Sequence, residues 1–238
     1  MIEKKYNNTP IFGYIPKDRT RFCDGDIFGD ELWKYAVLKK IKIWYGSCGA
    51  KKGEETPKDK IPLGIQCTYQ DVVTGAIKTS DKHCGDLTSN DIETKEIELK
   101  ENDYFTKFNI GFDTYLTHLK FTTKSGEYIE VGEVKTDFEK TVTLNDSKEP
   151  QMLQIFTGYY NNCGLRALGV SYISKKDFIL VNLMGIFRFR HIMKINKEEK
   201  DKWNSKEVKQ TLPDDMKAIV GLCNLPDNTF ASVIKFCV

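Results

Sequence analysis

The stretch LQIFTGYYNNCGLRALGVSY, residues 153–172, decides how this chain is expected to fold. Apolar residues alternate with polar or small ones on both sides of Asn161-Asn162. Alternation with a period of two is typical of a β-strand that is buried on one face, and a pair of asparagines is typical of a turn. The stretch therefore predicts two strands separated by a turn.

The same alternation recurs through the middle of the chain. It is found in VLKKIKIWYG at 37–46, LGIQCTYQ at 63–70 and YLTHLKFTTKSGEYIEVG at 115–132. Within the last of these, His118 alternates with the apolar Leu119, so its side chain is predicted on the solvated face. Many short strands with little helical periodicity predict an all-β sandwich, barrel or prism, and periodicity does not choose among the three.

Together with GDIFGDELW at 25–33, these segments resemble the jacalin-related lectins of the mannose-binding type. The resemblance covers residues 20–174 and implies a β-prism of three Greek-key sheets with about twelve strands, which binds sugar without a metal. It divides the chain into an N-terminal arm at 1–19, a jacalin-like β-prism domain at 20–174 and a C-terminal extension at 175–238.

The extension is too apolar to be a disordered tail. A charged segment at 196–210 predicts an exposed helix, while Ala218–Cys223 and Ala231–Val238 flank turn residues and predict a closing hairpin. We therefore expect an α+β extension that packs on the exterior of the prism. Its basic cluster is expected to contact a protein partner and comprises Arg188, Arg190 and His191.

The resemblance also implies a sugar site built from two loops, 24–30 and 158–166. In the family the second loop carries G-x-x-x-D, and this frame falls on 162–166, so that asparagine replaces the glycine and arginine replaces the aspartate. Arginine has donors and no acceptor, which suits an acidic group on a protein or an anionic sugar better than neutral hydroxyls. The candidate ligand residues are Gly25, Asp26, Tyr159, Tyr160, Asn162 and Arg166.

The two tyrosines of the second loop have alternative roles. Tyr159 and Tyr160 are suited to stack on a sugar ring or to anchor a protein interface, where tyrosine is enriched. Alternatively, one of them packs in the core of the prism while the other rests on its surface.

Composition excludes several classes of protein. A net charge of +2 with 29% charged residues lacks the basic footprint of a nucleic-acid binder. Seven scattered cysteines predict reduced thiols, with neither a disulfide framework nor a zinc site.

No motif for a nucleotide, a cofactor or a catalytic nucleophile occurs, so we expect neither cofactor nor enzymatic activity. The N-terminus lacks an apolar signal region and no apolar run is long enough to span a membrane, which predicts a cytoplasmic location.

Two hypotheses about function remain. In the first, the chain is a non-enzymatic intracellular scaffold that binds protein partners as a subunit of a larger assembly, of a cytoskeletal or organelle-associated kind. In the second, it is a carbohydrate-binding lectin that uses the 24–30 and 158–166 loops. The missing family acid, the missing signal region and the apolar extension favour the scaffold at this point.

Overall fold

The computed structural model describes residues 7–28, 36–47, 60–71, 76–88, 91–100, 103–113, 115–133, 139–143, 151–211 and 214–237. In chain order, the strands within these residues are β1 (Asn7–Asn8), β2 (Phe12–Gly13), β3 (Thr20–Cys23), β4 (Ala36–Gly46), β5 (Ile61–Asp71), β6 (Ile77–Thr79), β7 (His83–Cys84), β8 (Glu93–Glu98), β9 (Phe105–Phe112), β10 (Leu116–Thr123), β11 (Tyr128–Gly132), β12 (Glu139–Thr143), β13 (Gln151–Asn161) and β14 (Gly164–Ser174). A 3₁₀ helix at Asp24–Phe28 follows β3. The helices that follow the strands are α1 (Lys175–Ile195), α2 (Lys197–Asn204), α3 (Lys206–Thr211), α4 (Asp214–Cys223) and α5 (Asp227–Cys237).

The strands form three antiparallel sheets. Sheet A has the order β1-β14-β13-β3 with β2 also on β14, sheet B has the order β6-β5-β4-β8 with β7 on β5, and sheet C has the order β11-β10-β9-β12. The two strands predicted from residues 153–172 are β13 and β14, which pair as an antiparallel hairpin from Gln151 opposite Ser174 to Asn161 opposite Gly164. The part of the chain predicted as the prism contains the strands β3 to β14, so the predicted all-β prism is confirmed.

The three sheets share one apolar core. Phe108 and Phe121 of sheet C stack with their ring centres 5.0 Å apart, and Phe156 of sheet A meets Phe121 edge-on at 5.4 Å. Leu38 and Ile41 of sheet B belong to the same buried cluster. This is the expected result of period-two alternation, because one face of each strand then points to the common centre.

The prediction for His118 is wrong. Its side chain is 1% exposed, although it points to the face opposite Leu119. The Nε2 atom of His118 lies 2.9 Å from an oxygen of Glu130 on the neighbouring strand β11, and Lys120 contacts the other oxygen of that carboxylate at 2.9 Å. Gly132, at the end of β11, lies so close that a Cβ there would be 1.9 Å from the carbonyl oxygen of Thr117. Alternation identifies the face, but a neighbouring strand decides whether that face is covered.

The predicted C-terminal hairpin is also wrong, because both of its segments are helical. Ala218–Cys223 lies in α4, and residues 231–237 lie in α5. Val220 and Cys223 are three residues apart, as on one face of a helix, and pack together with Met193 of α1. Every secondary-structure element found in the described residues of the extension is therefore a helix.

Helix caps explain where the extension begins. Ser174, the last residue of β14, accepts a hydrogen bond from the backbone N–H of Asp177 at 3.0 Å and so caps α1. Asn196 caps α2 in the same way through the N–H of Glu199 at 3.1 Å. The change from sheet to helix thus occurs at a single residue.

The extension contacts the prism at the start of α1. Phe178 packs with Tyr104, Met152 and Ile173 at the end of the prism. The other described apolar clusters of the extension lie between its own helices, for example Leu183 of α1 against Phe230 of α5. Phe178 thus packs on the prism as predicted for the extension, and packing of the rest of the extension on the prism or on a partner stays a prediction.

One cysteine of the extension is expected to be unreactive. Burial raises the pKa of the Cys223 thiol to about 11. At about pH 8 we therefore expect iodoacetamide to modify Cys223 on the order of 100-fold more slowly than an ordinary cysteine, since only the thiolate reacts. Mass spectrometry of labelled peptides measures this, with the half-buried Cys163 as the internal control. Equal labelling of the two cysteines would show that Cys223 is not held in the described environment.

Candidate functional site

The turn between β13 and β14 is fixed by its own residues. Asn161 accepts a hydrogen bond from the backbone N–H of Cys163 at 3.0 Å through its side-chain oxygen. Gly164 has φ +121°, a conformation that favours glycine. Asn162 lies exposed at the tip. The turn therefore presents a polar side chain on a rigid support.

The segment 83–88 packs directly against this turn. The N–H of Asp86 donates to the carbonyl of Asn162 at 2.8 Å, and the N–H of Gly85 donates to the carbonyl of Leu63 at 3.1 Å. A Cβ on Gly85 would lie 2.3 Å from the backbone nitrogen of Gly164, so only glycine fits there. The backbone of Asp86 is therefore held next to Asn162, and one oxygen of its exposed carboxylate accepts from the N–H of Thr88 at 2.9 Å.

The N-terminal arm brings a second carboxylate to the turn. The side-chain amide of Asn161 donates to Asp18 at 3.4 Å. Next to Asp18, Arg19 donates to the carbonyl of Pro16 at 2.8 Å, and its guanidinium lies 5.6 Å from the ring centre of Tyr159. Two exposed carboxylates, Asp18 and Asp86, thus flank one exposed turn.

Arg166 does not belong to this exposed surface. Tyr159 pairs with Ala167 whereas Tyr160 pairs with Leu165, so Arg166 is the extra residue of a β-bulge in β14. A bulge redirects a side chain, and here the guanidinium lies 4.1 Å from the ring centre of Tyr115. Arg166 is 7% exposed, and its buried Nε atom has no hydrogen-bond partner among the described residues. The arginine predicted to bind an acidic group is therefore covered by aromatic side chains.

The first predicted loop contributes mainly to the interior. Asp24 is 1% exposed and accepts hydrogen bonds from the Tyr69 hydroxyl and from Nε2 of His83, the latter at 2.7 Å. The ring of His83 stacks on Phe22 at 3.9 Å. Burial, reinforced by the Asp24 carboxylate, raises the pKa of the Tyr69 hydroxyl well above its ordinary value, so this hydroxyl stays protonated and donates. Asp24 and its partners form a structural network.

The structure places the remaining predicted residues around this network. Gly25 is buried, whereas Asp26 is exposed. The half-buried Tyr160 lies 6.3 Å from Phe22 and 6.2 Å from His83, measured between ring centres. Tyr159 is half-buried and lies beside Arg19. The six predicted residues are therefore not all exposed on one surface.

Sequence reasoning missed Asp18 and Asp86. Asp18 is separated from Asn161 by 143 residues along the chain. No local motif marks either aspartate, and both follow from the way the arm and the 83–88 segment pack on the turn. The close contact of Gly85 with Gly164 cannot be read from the local sequence, because it joins two segments that are far apart in the chain.

The predicted basic cluster of α1 does not form one surface. Arg190 is 5% exposed, and its guanidinium donates to the carbonyls of Cys223 and Leu225, each at 2.5 Å, and to Asp227 at 2.9 Å. His191 is exposed. The side chain of Arg188 lies outside the described residues. Arg190 therefore holds helices together.

The described ranges also bear on metal sites, disulfides and membrane-spanning helices. No group of three or more histidine, cysteine, aspartate or glutamate side chains there is arranged to hold a metal ion. Free thiols are found in the described residues at Cys23, Cys67, Cys84, Cys163 and Cys223. None of the helices described for the chain has both the length and the apolar character needed to cross a membrane.

Comparison with protein families identifies the class of protein. The sequence model of the Jacalin-like lectin domain matches residues 25–171. This match covers more than half of the chain, so the chain belongs to the Jacalin-like lectin domain family. The family resemblance predicted from sequence is thereby confirmed, and the family is one of carbohydrate-binding, non-enzymatic domains.

Solved structures agree with this assignment. Frutapin, a lectin from Artocarpus incisa, is 14% identical, with a TM-score of 0.52 over 72% of this chain and 99% of frutapin. A mannose-specific jacalin-related lectin from Morus nigra, solved with mannose, is 14% identical, with a TM-score of 0.52 over 73% of this chain and 97% of that lectin. Artocarpin, solved with mannotriose, is 14% identical, with a TM-score of 0.51 over 71% of this chain and 98% of artocarpin. A search of curated protein sequences found no match.

Proposed function

We propose that this chain is a carbohydrate-binding lectin whose site is the β13–β14 turn, with Asp86 and Asp18 as the acceptors that Arg166 does not provide. The observation that carries the proposal is the fixed position of Asp86. Its backbone is hydrogen-bonded to Asn162, and Gly85 leaves no space for the 83–88 segment to approach the turn differently. The family membership supports the same conclusion.

The chemistry of the turn suits a sugar. Adjacent sugar hydroxyls need acceptors, and a carboxylate forms charge-assisted hydrogen bonds that are stronger than neutral ones. Asn162 adds a donor and an acceptor on one exposed amide. Because the turn is held by Asn161, Gly164 and the 83–88 segment, little conformational entropy is lost on binding.

The charges favour a neutral sugar over an acidic one. Asp18 and Asp86 are both exposed at the turn, and a uronate or sulfate would be repelled by them. The cation described beside them, Arg19, already binds the carbonyl of Pro16 and lies over Tyr159. The acidic ligand that the sequence suggested for Arg166 is therefore replaced by a neutral, hydroxyl-rich ligand.

Calorimetric titration with mannotriose tests the proposal. We expect Asp86→Asn to weaken binding roughly 10- to 100-fold, because a hydrogen bond to a charged group contributes about 1.5–3 kcal/mol. Asp81→Asn is the matched control, since Asp81 is an exposed aspartate before β7 rather than after it, and no contact ties its carboxylate to the turn among the described residues. Equal affinities for wild type, Asp86→Asn and Asp81→Asn would contradict the assignment of the acceptor.

Substitution of Gly85 tests how the site is held. In Gly85→Ala the new methyl group would collide with the backbone of Gly164, so the turn and the 83–88 segment must separate. We expect a loss of about 1–3 kcal/mol in the free energy of unfolding, as is typical of overpacking, and weaker sugar binding. Gly221→Ala, which adds its methyl group in open space on α4, is the control. Urea denaturation measures the free energy of unfolding of both variants. Equal stability of the two variants would refute the tight contact between Gly85 and the turn.

Of the two hypotheses drawn from the sequence, the family match and the structural neighbours favour the lectin. The scaffold role, the protein partners and the cytoplasmic location stay predictions. A native pull-down with the full chain, compared with a chain that ends at residue 174, measures whether the helical extension recruits a partner.

A further inference from the structure

A separate cleft opens between sheets B and C. The edge strand β8 of sheet B faces the edge strand β11 of sheet C there. The cleft has a volume of about 670 Å³ and is lined by Tyr45, Lys60, Lys95, Glu96, Tyr128 and residues 129–133. This volume is within the roughly 300–1,000 Å³ range of small-ligand sites. The turn described above lies in sheet A, so the two places are distinct.

The edge of β11 is closed to an added peptide strand. The ammonium group of Lys95 donates to the backbone carbonyl of Glu130 at 2.9 Å and occupies a group with which another strand would pair. Lysines on edge strands discourage such pairing. An occupant of the cleft must therefore be recognised by side chains.

The wall formed by sheet B is already organised. The hydroxyl of Tyr45 donates to Glu93, and Lys60 binds the same carboxylate. Lys95 lies 5.4 Å from the ring centre of Tyr45, which is 9% exposed. These contacts fix the side chains before any ligand arrives, which lowers the entropic cost of binding.

The carboxylates of the cleft are charged but already have cationic neighbours. Glu130 is bound by Lys120 and His118 at 2.9 Å each, and Glu96 is bound by Lys40 at 2.9 Å. Although burial opposes it, the bonds from Lys120 and His118 hold the pKa of Glu130 below its ordinary value, so it accepts hydrogen bonds at neutral pH. The side chains that line the cleft carry both positive and negative charges, so a strongly charged ligand is not favoured.

An aromatic platform stands at the rim. Tyr128 lines the cleft and is 58% exposed, although Lys120 lies 4.3 Å from its ring centre. Burying a large aromatic side chain on ligand binding is favourable, and tyrosine combines an apolar ring with a polar hydroxyl. A ring with an apolar face and hydroxyl edges satisfies both this platform and the surrounding ammonium and carboxylate groups.

We infer that the cleft is a second saccharide site that binds a short neutral oligosaccharide, with its ring on Tyr128 and its hydroxyls between the ammonium group of Lys95 and the carboxylate of Glu130. The inference rests on the proposed lectin function and extends it, because the chain then has two sugar sites on different sheets. Two sites on one domain let it bind a branched or repeated glycan with higher avidity than either site alone.

A nuclear magnetic resonance titration of the full chain with mannotriose distinguishes the two sites. Amide shifts at residues 95–96 and 128–133 report the cleft, and shifts at 86–88 and 161–164 report the turn. We expect both sets to move in the wild type. Tyr128→Ala should weaken the cleft response roughly tenfold and leave the turn response unchanged. Ile77→Ala removes a similarly exposed apolar side chain from the edge strand β6 and should change neither response.

Each outcome of the titration decides between the two proposals. If amides of the cleft shift in the wild type and this response is weaker in Tyr128→Ala, the cleft site is supported, whether or not the turn responds. Shifts at the turn alone overturn the cleft site and leave the lectin function standing. Shifts at the cleft alone overturn the turn as the sugar site. Cleft shifts that require a sulfated oligosaccharide overturn the neutral class of ligand, and the absence of shifts at both places overturns both proposals.

Discussion

Arg190→Met is expected to lower the free energy of unfolding of the helical extension by about 3–5 kcal/mol, the range for breaking a buried charged network from one side. The guanidinium bonds the carbonyls of Cys223 and Leu225 and the carboxylate of Asp227, so it joins α1 to the end of α4 and the start of α5. It also lies 4.0 Å from the ring centre of Phe230. Methionine keeps the apolar stem and leaves the buried carbonyls without a donor.

Hydrogen exchange measures this effect locally, because the extension can open without the prism. We expect the amides of α1, α4 and α5 to lose protection in Arg190→Met, while those of β13 and β14 keep it. Lys194→Met is the matched control, since Lys194 binds the same Asp227 but is largely exposed. An exposed ion pair contributes about 0–1 kcal/mol. Comparable effects of the two substitutions would mean that the buried bonds of Arg190 do not hold the helices.

Asp24→Ala is the second substitution with a large expected effect. It leaves the buried Tyr69 hydroxyl and the His83 imidazole without their acceptor, which should cost about 2–5 kcal/mol of prism stability. Asp26→Ala, two residues later on an exposed position, should change stability by less than about 0.5 kcal/mol. Thermal unfolding of both variants measures the difference. If Asp24→Ala were as stable as Asp26→Ala, the network around Asp24 would not be structural.

The prism was predictable because its strands carry a clear local signal. In β14 Leu168 and Val170 face the core two residues apart, and Asn161-Asn162 marks the turn before this strand. In β13 an irregularity in the pairing interrupts the alternation, so that Ile155 and Phe156 both lie in the core. The family resemblance then chose the prism over a sandwich or barrel. The burial of His118 was not predictable in this way, because it depends on Glu130 and Gly132 from a different strand.

The closing hairpin of the extension was mispredicted because a short apolar run fits either a strand or a buried helix. The helix predicted over 196–210 is found as α2 and α3. Val220 and Cys223 were assigned to a strand, although their spacing of three also fits one helix face. The capping signal was present in the sequence, since Ser174 is followed three residues later by Asp177, whose carboxylate it also contacts at 3.0 Å. Giving this signal more weight would have predicted the start of α1.

The candidate site was only partly visible in the sequence. The alignment of Arg166 with the family acid was informative about what is missing. It did not show that a bulge and the ring of Tyr115 bury the arginine. Nor did it reveal Asp86, which reaches the turn through a backbone contact between segments far apart in the chain.

A crystal structure of the full chain soaked with mannotriose tests the central claim most directly. We expect a sugar ring at the β13–β14 turn, with two of its hydroxyls about 2.7–3.2 Å from the carboxylate of Asp86 and from the side-chain amide of Asn162. Arg166 should remain covered by Tyr115. Sugar bound to Arg166 after movement of Tyr115, or a turn that stays empty at saturating mannotriose, would contradict the claim that Asp86 supplies the acceptor of this lectin.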